Sequence, residues 1–262
     1  INHVPREMIT EALQKEAESA GYAGGFAVTV SIEGGAEVAK RTFNPHIGVE
    51  GGLSVLGTSG IVEPMSEQAL LDTIQLEMNQ AALRAKNAPG PRRLVLAPGN
   101  YGLDYLHERY PEFHAVPVVK TSNFIGDTLD MAAAARFEEV LLVGHVGKLV
   151  KVAGGIMNTH SKEADCRMEL LAAAAIRAGA EVTLLREILD CIGTEDAVDR
   201  IKKAGFLEPA MEYVMEKMED HLKHRAGGGL EIECMVYSND IGLLGVTPGA
   251  VALLKELLEE KE

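Results

Sequence analysis

Between Val143 and Asp165 the chain reads VGHVGKLVKVAGGIMNTHSKEAD and gathers residue types that do chemistry: two imidazoles, three lysines and the carboxylates Glu163 and Asp165. Apolar residues lead into Gly144, and Gly147-Lys148 opens a helical pattern, the outline of a turn whose N–H groups and lysine face an anion. A Walker-type phosphate loop needs four residues between its first glycine and the Gly-Lys pair, then Ser or Thr for magnesium. Here only His145 and Val146 intervene, and Leu149 follows the lysine, so the Walker pattern is not met and the spacing argues against that chemistry. No G-x-G-x-x-G follows a strand, and Ser59 in GTSGI lacks the G-x-S-x-G context of a nucleophilic serine. His145, His160 and Asp165 share one stretch, and His221 and His224 lie three apart, but neither group shows a further convergent ligand, so no protein metal site is expected. The polar interruption Asn158-Thr159-His160-Ser161 reads either as a capped helix-to-helix turn or as one wall of a pocket.

The elements that must position these groups begin with composition. An apolar share of 47% over 262 residues is ample for a hydrophobic core. A formal charge of -14 disfavours coating nucleic acid or an anionic membrane, so an anionic ligand needs a locally basic pocket. Cys166, Cys191 and Cys234 are widely spaced and form no CxxC, which fits a reducing cytoplasm. The longest apolar neighbourhood, Val140 to Met157, is broken by His145, Lys148 and Lys151, so no membrane span is expected.

Residues 1–50 read as an α+β part: a helix from near Pro5 to Gly21, then alternation around Gly34-Gly35 that predicts a hairpin. Residues 51–262 read as a Rossmann-like α/β domain with a helix-rich C-terminal region. GGLSVLGTSGIVEPMSE predicts strand, loop and a helix capped by Ser66 and reaching Lys86. RRLVLAPGNYG, AVPVVKTSNFIGD and EEVLLVGHVGK repeat that unit, the signature of a doubly wound, largely parallel sheet. Helices follow over CRMELLAAAAIRAG, EDAVDRIKKAG and PAMEYVMEKMEDHLKHR, and after Pro248. The late strand 230–238 can join either sheet.

Ligands of such sheets bind beyond the carboxyl ends of the strands. Four polar loops fall there: Gly57, Thr58, Ser59, Gly60 and Glu63 in the first; Gly99, Asn100 and Gly102 in the second; Lys120, Ser122, Asn123 and Gly126 in the third; Gly144, His145, Gly147 and Lys148 in the fourth. Asn158, Thr159, His160 and Asp165 complete the candidate set. A single glycine loop is ordinarily a turn, but four together point to one shared pocket.

In that order, LGTSGIVEPMSEQAL, APGNYG, KTSNFIGDTLDMA and LLVGHVGKLVKVAGGIMNTHSKEADCRME resemble the CbiD family of cobalt-precorrin-5B C1-methyltransferases, and the resemblance runs from INHVPREMI to AEVTLLREI. It implies S-adenosylmethionine-dependent methylation of a ring carbon of a cobalt tetrapyrrole in anaerobic cobalamin biosynthesis, in a cytoplasmic, possible homo-oligomeric enzyme. The cobalt would be carried by the substrate, not the protein. Family members begin with a further alanine-rich region bearing a Gly-Thr-Thr-Gly-Thr-like motif, and the α+β part is expected to be completed by it. The substrate's carboxylates would call for cations, for which His145, Lys148, Lys120, Lys151 and Lys162 are candidates, although Lys151 and Lys162 are expected to face water as helix lysines do. The glycine backbones of LGTSG and APGNYG would approach the cofactor, with Glu63 and Asn100 as hydrogen-bonding groups. A non-catalytic tetrapyrrole-binding protein and a nucleotide-binding protein built on GHVGK are the alternatives.

Overall fold

A computed structural model describes residues 1–42, 49–55, 57, 66–86, 90–111, 113 and 117–259. The chain divides into two compact units, Ile1–Glu67 and Gln68–Glu262. Among the described residues no helix is long and apolar enough to cross a membrane.

The first unit carries helices α1 (His3–Ser19) and α2 (Gly35–Ala39). Pro5 sits in the first turn of α1, where its missing N–H costs nothing. The hairpin expected around Gly34-Gly35 does not form. Phe26, Val28, Val30 and Ile32 alternate as a strand should, but each remains about half exposed, and Gly35 starts α2 instead. Alternation marks a face; a strand exists only where a neighbour completes its ladder, and the described residues of this unit supply none. Likewise Leu53 to Val55 form no strand, while Leu56 and residues 58–65 lie outside the described residues.

The second unit is the doubly wound body. Helix α3 (Glu67–Ala85) starts directly after Ser66. There follow β1 (Arg93–Ala97), α4 (Asn100–Arg109), β2 (Val118–Lys120), α5 (Ile125–Ala134), β3 (Glu139–His145) and the one-turn α6 (Val146–Leu149), continued by a 3₁₀ turn over Val150–Gly154. Helices α7 (Arg167–Arg177), α8 (Val182–Leu189), α9 (Thr194–Lys203) and α10 (Leu207–Ala226) lead to β4 (Glu231–Ser238), β5 (Gly242–Val246) and α11 (Ala250–Glu259). The sheet order is β2-β1-β3-β4-β5, parallel except for β5. The late strand therefore joins this sheet beside β3, and an antiparallel edge strand follows that periodicity did not reveal.

Strand alternation sorts the core into two layers. Leu94, Leu96, Val140, Leu142, Ile232 and Cys234 pack on the α3, α5 and α7–α10 side, whereas Val95, Leu141, Val143, Met235 and Tyr237 pack on the α4 and α11 side. These strands are buried on both faces, which is why their sequences are near-continuous apolar runs. Each fully buried Leu or Val contributes roughly 1.5–3 kcal/mol, so this two-sided burial holds the strand ends rigid for the loops they carry.

Candidate functional site

From β1 the chain adds β2 on one side and then places β3 on the other. Helices α4 and α5 accordingly pack on opposite faces of the sheet. The strand order reverses between β1 and β3, and the loops leaving their carboxyl ends diverge there to open a crevice. A cavity of about 810 Å³ occupies this point.

Two of the four predicted loops meet in it. From the β1–α4 turn come Gly99, Asn100 and Gly102, with Pro98, Tyr101 and Asp104; from the end of β3 come Gly144, His145, Gly147 and Lys148. Gly99 adopts φ 146°, a conformation open to glycine, and so turns the chain sharply from β1 into α4. Gly102 is a glycine of close approach: an added Cβ would lie 2.6 Å from the carbonyl oxygen of Val143. Gly102→Ala is therefore expected to push α4 off β3, cost about 1–3 kcal/mol and loosen the cavity wall, read as a lower melting temperature with faster amide exchange in α4.

The remaining walls come from elements distant in sequence: Arg167 at the start of α7, Gly193, Thr194 and Glu195 at the start of α9, Tyr237 near the end of β4 and Asn239 just after it. The amino ends of α4 and α9 thus border the cavity and add partial positive charge. Glu195 ties three of these elements together. His145 Nε2 and Glu195 Oε1 are 2.6 Å apart, Ser238 Oγ donates to Glu195 Oε2, and the Asn239 N–H donates to Oε1 at 2.9 Å. Burial alone would raise the Glu195 carboxyl, but these hydrogen bonds and the imidazole hold it below the ordinary range. His145 Nδ1 accepts the N–H of Gly147 at 3.0 Å, so Nε2 carries the proton shared with Glu195. Both ring nitrogens are committed, and His145 acts as a brace of the wall.

Lys148 donates from Nζ to the Pro98 carbonyl at 3.0 Å, bridging the two loops. Burial, and then the nearby charge of Lys151, push its ammonium below the ordinary lysine value, so an anionic ligand group would be a welcome partner. Arg167 holds Asp165 in a bidentate pair at 2.7 Å and reaches Thr194 Oγ1 with Nη1 at 3.5 Å. Its hydrogen bonds keep the Asp165 carboxyl low.

The third loop and the polar turn pair with each other and do not line this cavity. Thr159 N–H donates to the Asn123 carbonyl at 2.8 Å, Gly126 N–H donates to Met157 O at 3.1 Å, and Phe124 and Asn158 form a single antiparallel bridge. Ser122 occupies φ 52°, the Lys120 N–H donates to Glu77, and His160 Nδ1 accepts from the Lys162 N–H. Lys151, expected to face water, is 3% exposed; its Nζ donates to Thr159 O at 3.1 Å and Ala164 O at 2.7 Å. The cause is the 3₁₀ turn that follows α6, which rotates Lys151 under the polar turn and off the solvent face. Lys162 is exposed. Gly57 lies in the first unit, while Thr58, Ser59, Gly60 and Glu63 lie outside the described residues. Among the described residues no group of three or more His, Cys, Asp or Glu could hold a metal ion.

Sequence reasoning missed Glu195, Arg167, Tyr237, Asp104 and Asn239. One signal was available: VYSND ends an apolar strand and, once that strand is placed in the parallel sheet, stands at a ligand-binding edge. Glu195 read only as an acidic first-turn residue of a helix.

A family model described as "CbiD" matches residues 1–64, and one described as "CbiD, C-terminal domain" matches residues 158–248. The chain is 41% identical over its full length to the cobalt-precorrin-5B C(1)-methyltransferase of Ruminiclostridium cellulolyticum, covering 68% of that protein. It is 40% identical to the proteins of the same name from Alkaliphilus metalliredigens (99% of this chain, 66% of the relative) and from a Thermoanaerobacter species (93% and 64%). It thus spans about two thirds of the length of these relatives. No solved structure matches it. With both family models matched and identity of this order along the whole chain, the protein belongs to the CbiD family.

Proposed function

We propose that the chain carries the methyl-transfer site of a cytoplasmic enzyme that moves the methyl group of S-adenosylmethionine to ring carbon C-1 of cobalt-precorrin-5B, yielding cobalt-precorrin-6A and S-adenosylhomocysteine. The observation that supports this most is the cavity of about 810 Å³ at the strand-order reversal, walled by the second and fourth of the motifs that carry the family resemblance. Its size suits an organic ligand, and its position is the one this topology leaves open.

The chemistry is an in-line displacement: the electron-rich ring carbon attacks the methyl carbon, the carbon–sulfur bond breaks, the bond's electron pair stays on the neutral thioether, and the tetrapyrrole releases a proton in exchange for the methyl group. Alignment of two reactants can remove on the order of 7–11 kcal/mol of barrier at best, so rigid strand ends and committed side chains are the relevant equipment. Lys148 and the amino ends of α4 and α9 are suited to carboxylates of a ligand, and the His145–Glu195 pair holds the wall that presents them. Cobalt enters with the tetrapyrrole as part of the substrate.

Calorimetry on the full-length protein is expected to show binding of S-adenosylhomocysteine. Incubation with S-adenosylmethionine and the cobalt tetrapyrrole should then raise the tetrapyrrole's mass by one methylene unit. Absence of binding would overturn the reading, and binding without the mass gain would favour a tetrapyrrole-binding protein that performs no transfer.

A further inference from the structure

Tyr237 is 2% exposed, yet its hydroxyl has no hydrogen-bond partner among the described residues. Buried hydroxyls are ordinarily satisfied, because one left unpaired loses its water without replacement. The ring cannot swing to find a partner. Tyr105 stacks on it with centroids 4.3 Å apart and planes 5° from parallel, and His145, held by Glu195, meets it edge-on at 5.6 Å and 80°.

The residue nevertheless lines the cavity, together with Tyr101 and Asp104 of α4. Burial, then the Asp104 carboxylate, then Tyr105 and Tyr101 push its phenol up to about 12, so the hydroxyl stays protonated and can donate. Asp104 and Tyr101 are exposed, Tyr101 at 76%, which leaves a carboxylate acceptor and an aromatic face beside that donor. Lys148 and Arg167 line the same cavity and carry the opposite charge. A carboxylate-laden tetrapyrrole would be repelled by Asp104, whereas a nucleoside offers hydroxyl donors to Asp104, acceptor atoms to Tyr237 and a flat base to Tyr101.

We propose that this α4-side wall is the adenosine subsite of the cavity, with Tyr237 Oη donating to a ring nitrogen or ribose oxygen and Asp104 accepting from the ribose hydroxyls. The assignment rests on the S-adenosylmethionine reading above and divides the cavity: nucleoside against α4 and Tyr237, carboxylates against Lys148 and Arg167.

The test is calorimetric titration of the full-length protein and its Tyr237→Phe and Asp104→Asn variants with S-adenosylhomocysteine. Tyr237→Phe deletes only an unpartnered hydroxyl, so it should melt at the wild-type temperature or above it, yet bind about tenfold more weakly, the size of one lost hydrogen bond. Asp104→Asn, altered at an exposed position, should weaken binding to a similar degree while the protein stays folded. Wild-type affinity in both variants would overturn the subsite while leaving the methyltransferase reading standing. Failure of the unsubstituted protein to bind would overturn both. A Tyr237→Phe protein that loses stability together with affinity would show that the hydroxyl serves the fold and would likewise overturn the assignment.

Discussion

Glu195→Ala is expected to lower stability by about 2–4 kcal/mol and to weaken ligand binding about tenfold or more. The alanine leaves His145 Nε2, Ser238 Oγ and the Asn239 N–H without their shared acceptor, in a wall where Glu195 and His145 are each only about a quarter exposed. These groups belong to β3, to the end of β4 and to the turn that follows, so the deletion unties the carboxyl ends of two adjacent strands from α9. Glu195→Gln should lose less. Its carbonyl oxygen can still accept from His145 and Asn239, while its amide meets a Ser238 hydroxyl that already accepts from Asp240 and Ile241 N–H. The carboxyl of Glu195 is depressed in the folded state, so its contribution is fully present above the ordinary glutamate value of 4.5 and is lost as pH falls through the lower folded value. Urea melts across pH 3–6 should therefore show a steeper acid loss in the parent than in Glu195→Ala; parallel curves would refute the bracing role.

A second large effect is expected from Lys151→Met, a change that keeps the volume and removes the ammonium. Thr159 O and Ala164 O then lose their donor inside a turn where Thr159 is 4% exposed, at a cost of about 2–4 kcal/mol. The turn runs on to Asp165 and its partner Arg167, which lines the cavity, so ligand binding should weaken as well. Lys148 would lose a repelling charge, and its pKa should move back toward the ordinary lysine value, partway only because burial is the larger cause of its depression. Denaturant midpoints measure the first effect, and NMR titration of labelled lysines measures the second. An unchanged midpoint would show that the turn holds without its central cation.

The two predictions divide along what was legible in advance. Lys151 was visible as a candidate, but its surroundings were not: helical spacing placed it with Lys148, and a short 3₁₀ turn put it beneath residues thirteen positions or fewer away. Glu195 was not visible at all, because an acidic residue in the first turn of a helix is sufficiently explained by the helix dipole. Its role arises only when β4 takes its place next to β3 and brings Ser238 and Asn239 within reach. The hairpin expected around Gly34-Gly35 erred in the opposite sense, for its alternation was real and its partner strand was not among the described residues.

Local pattern by itself determined the alternation of strands and helices from Arg93 to Leu149, the parallel character of the sheet, and the polar loops at the strand ends, because apolar periodicity and glycine turns are short-range properties; α8 and β5 it did not reveal. Which loops share a cavity was decided by the tertiary structure. Strand order places β1 and β3 side by side and β2 at an edge, so the β1 and β3 loops face one crevice while the loop after β2 is taken up by Thr159 and its neighbours. Convergence of Asp104, Lys148, Arg167, Glu195 and Tyr237 depends on contacts between residues far apart in the chain, and no spacing rule along one sequence encodes that proximity.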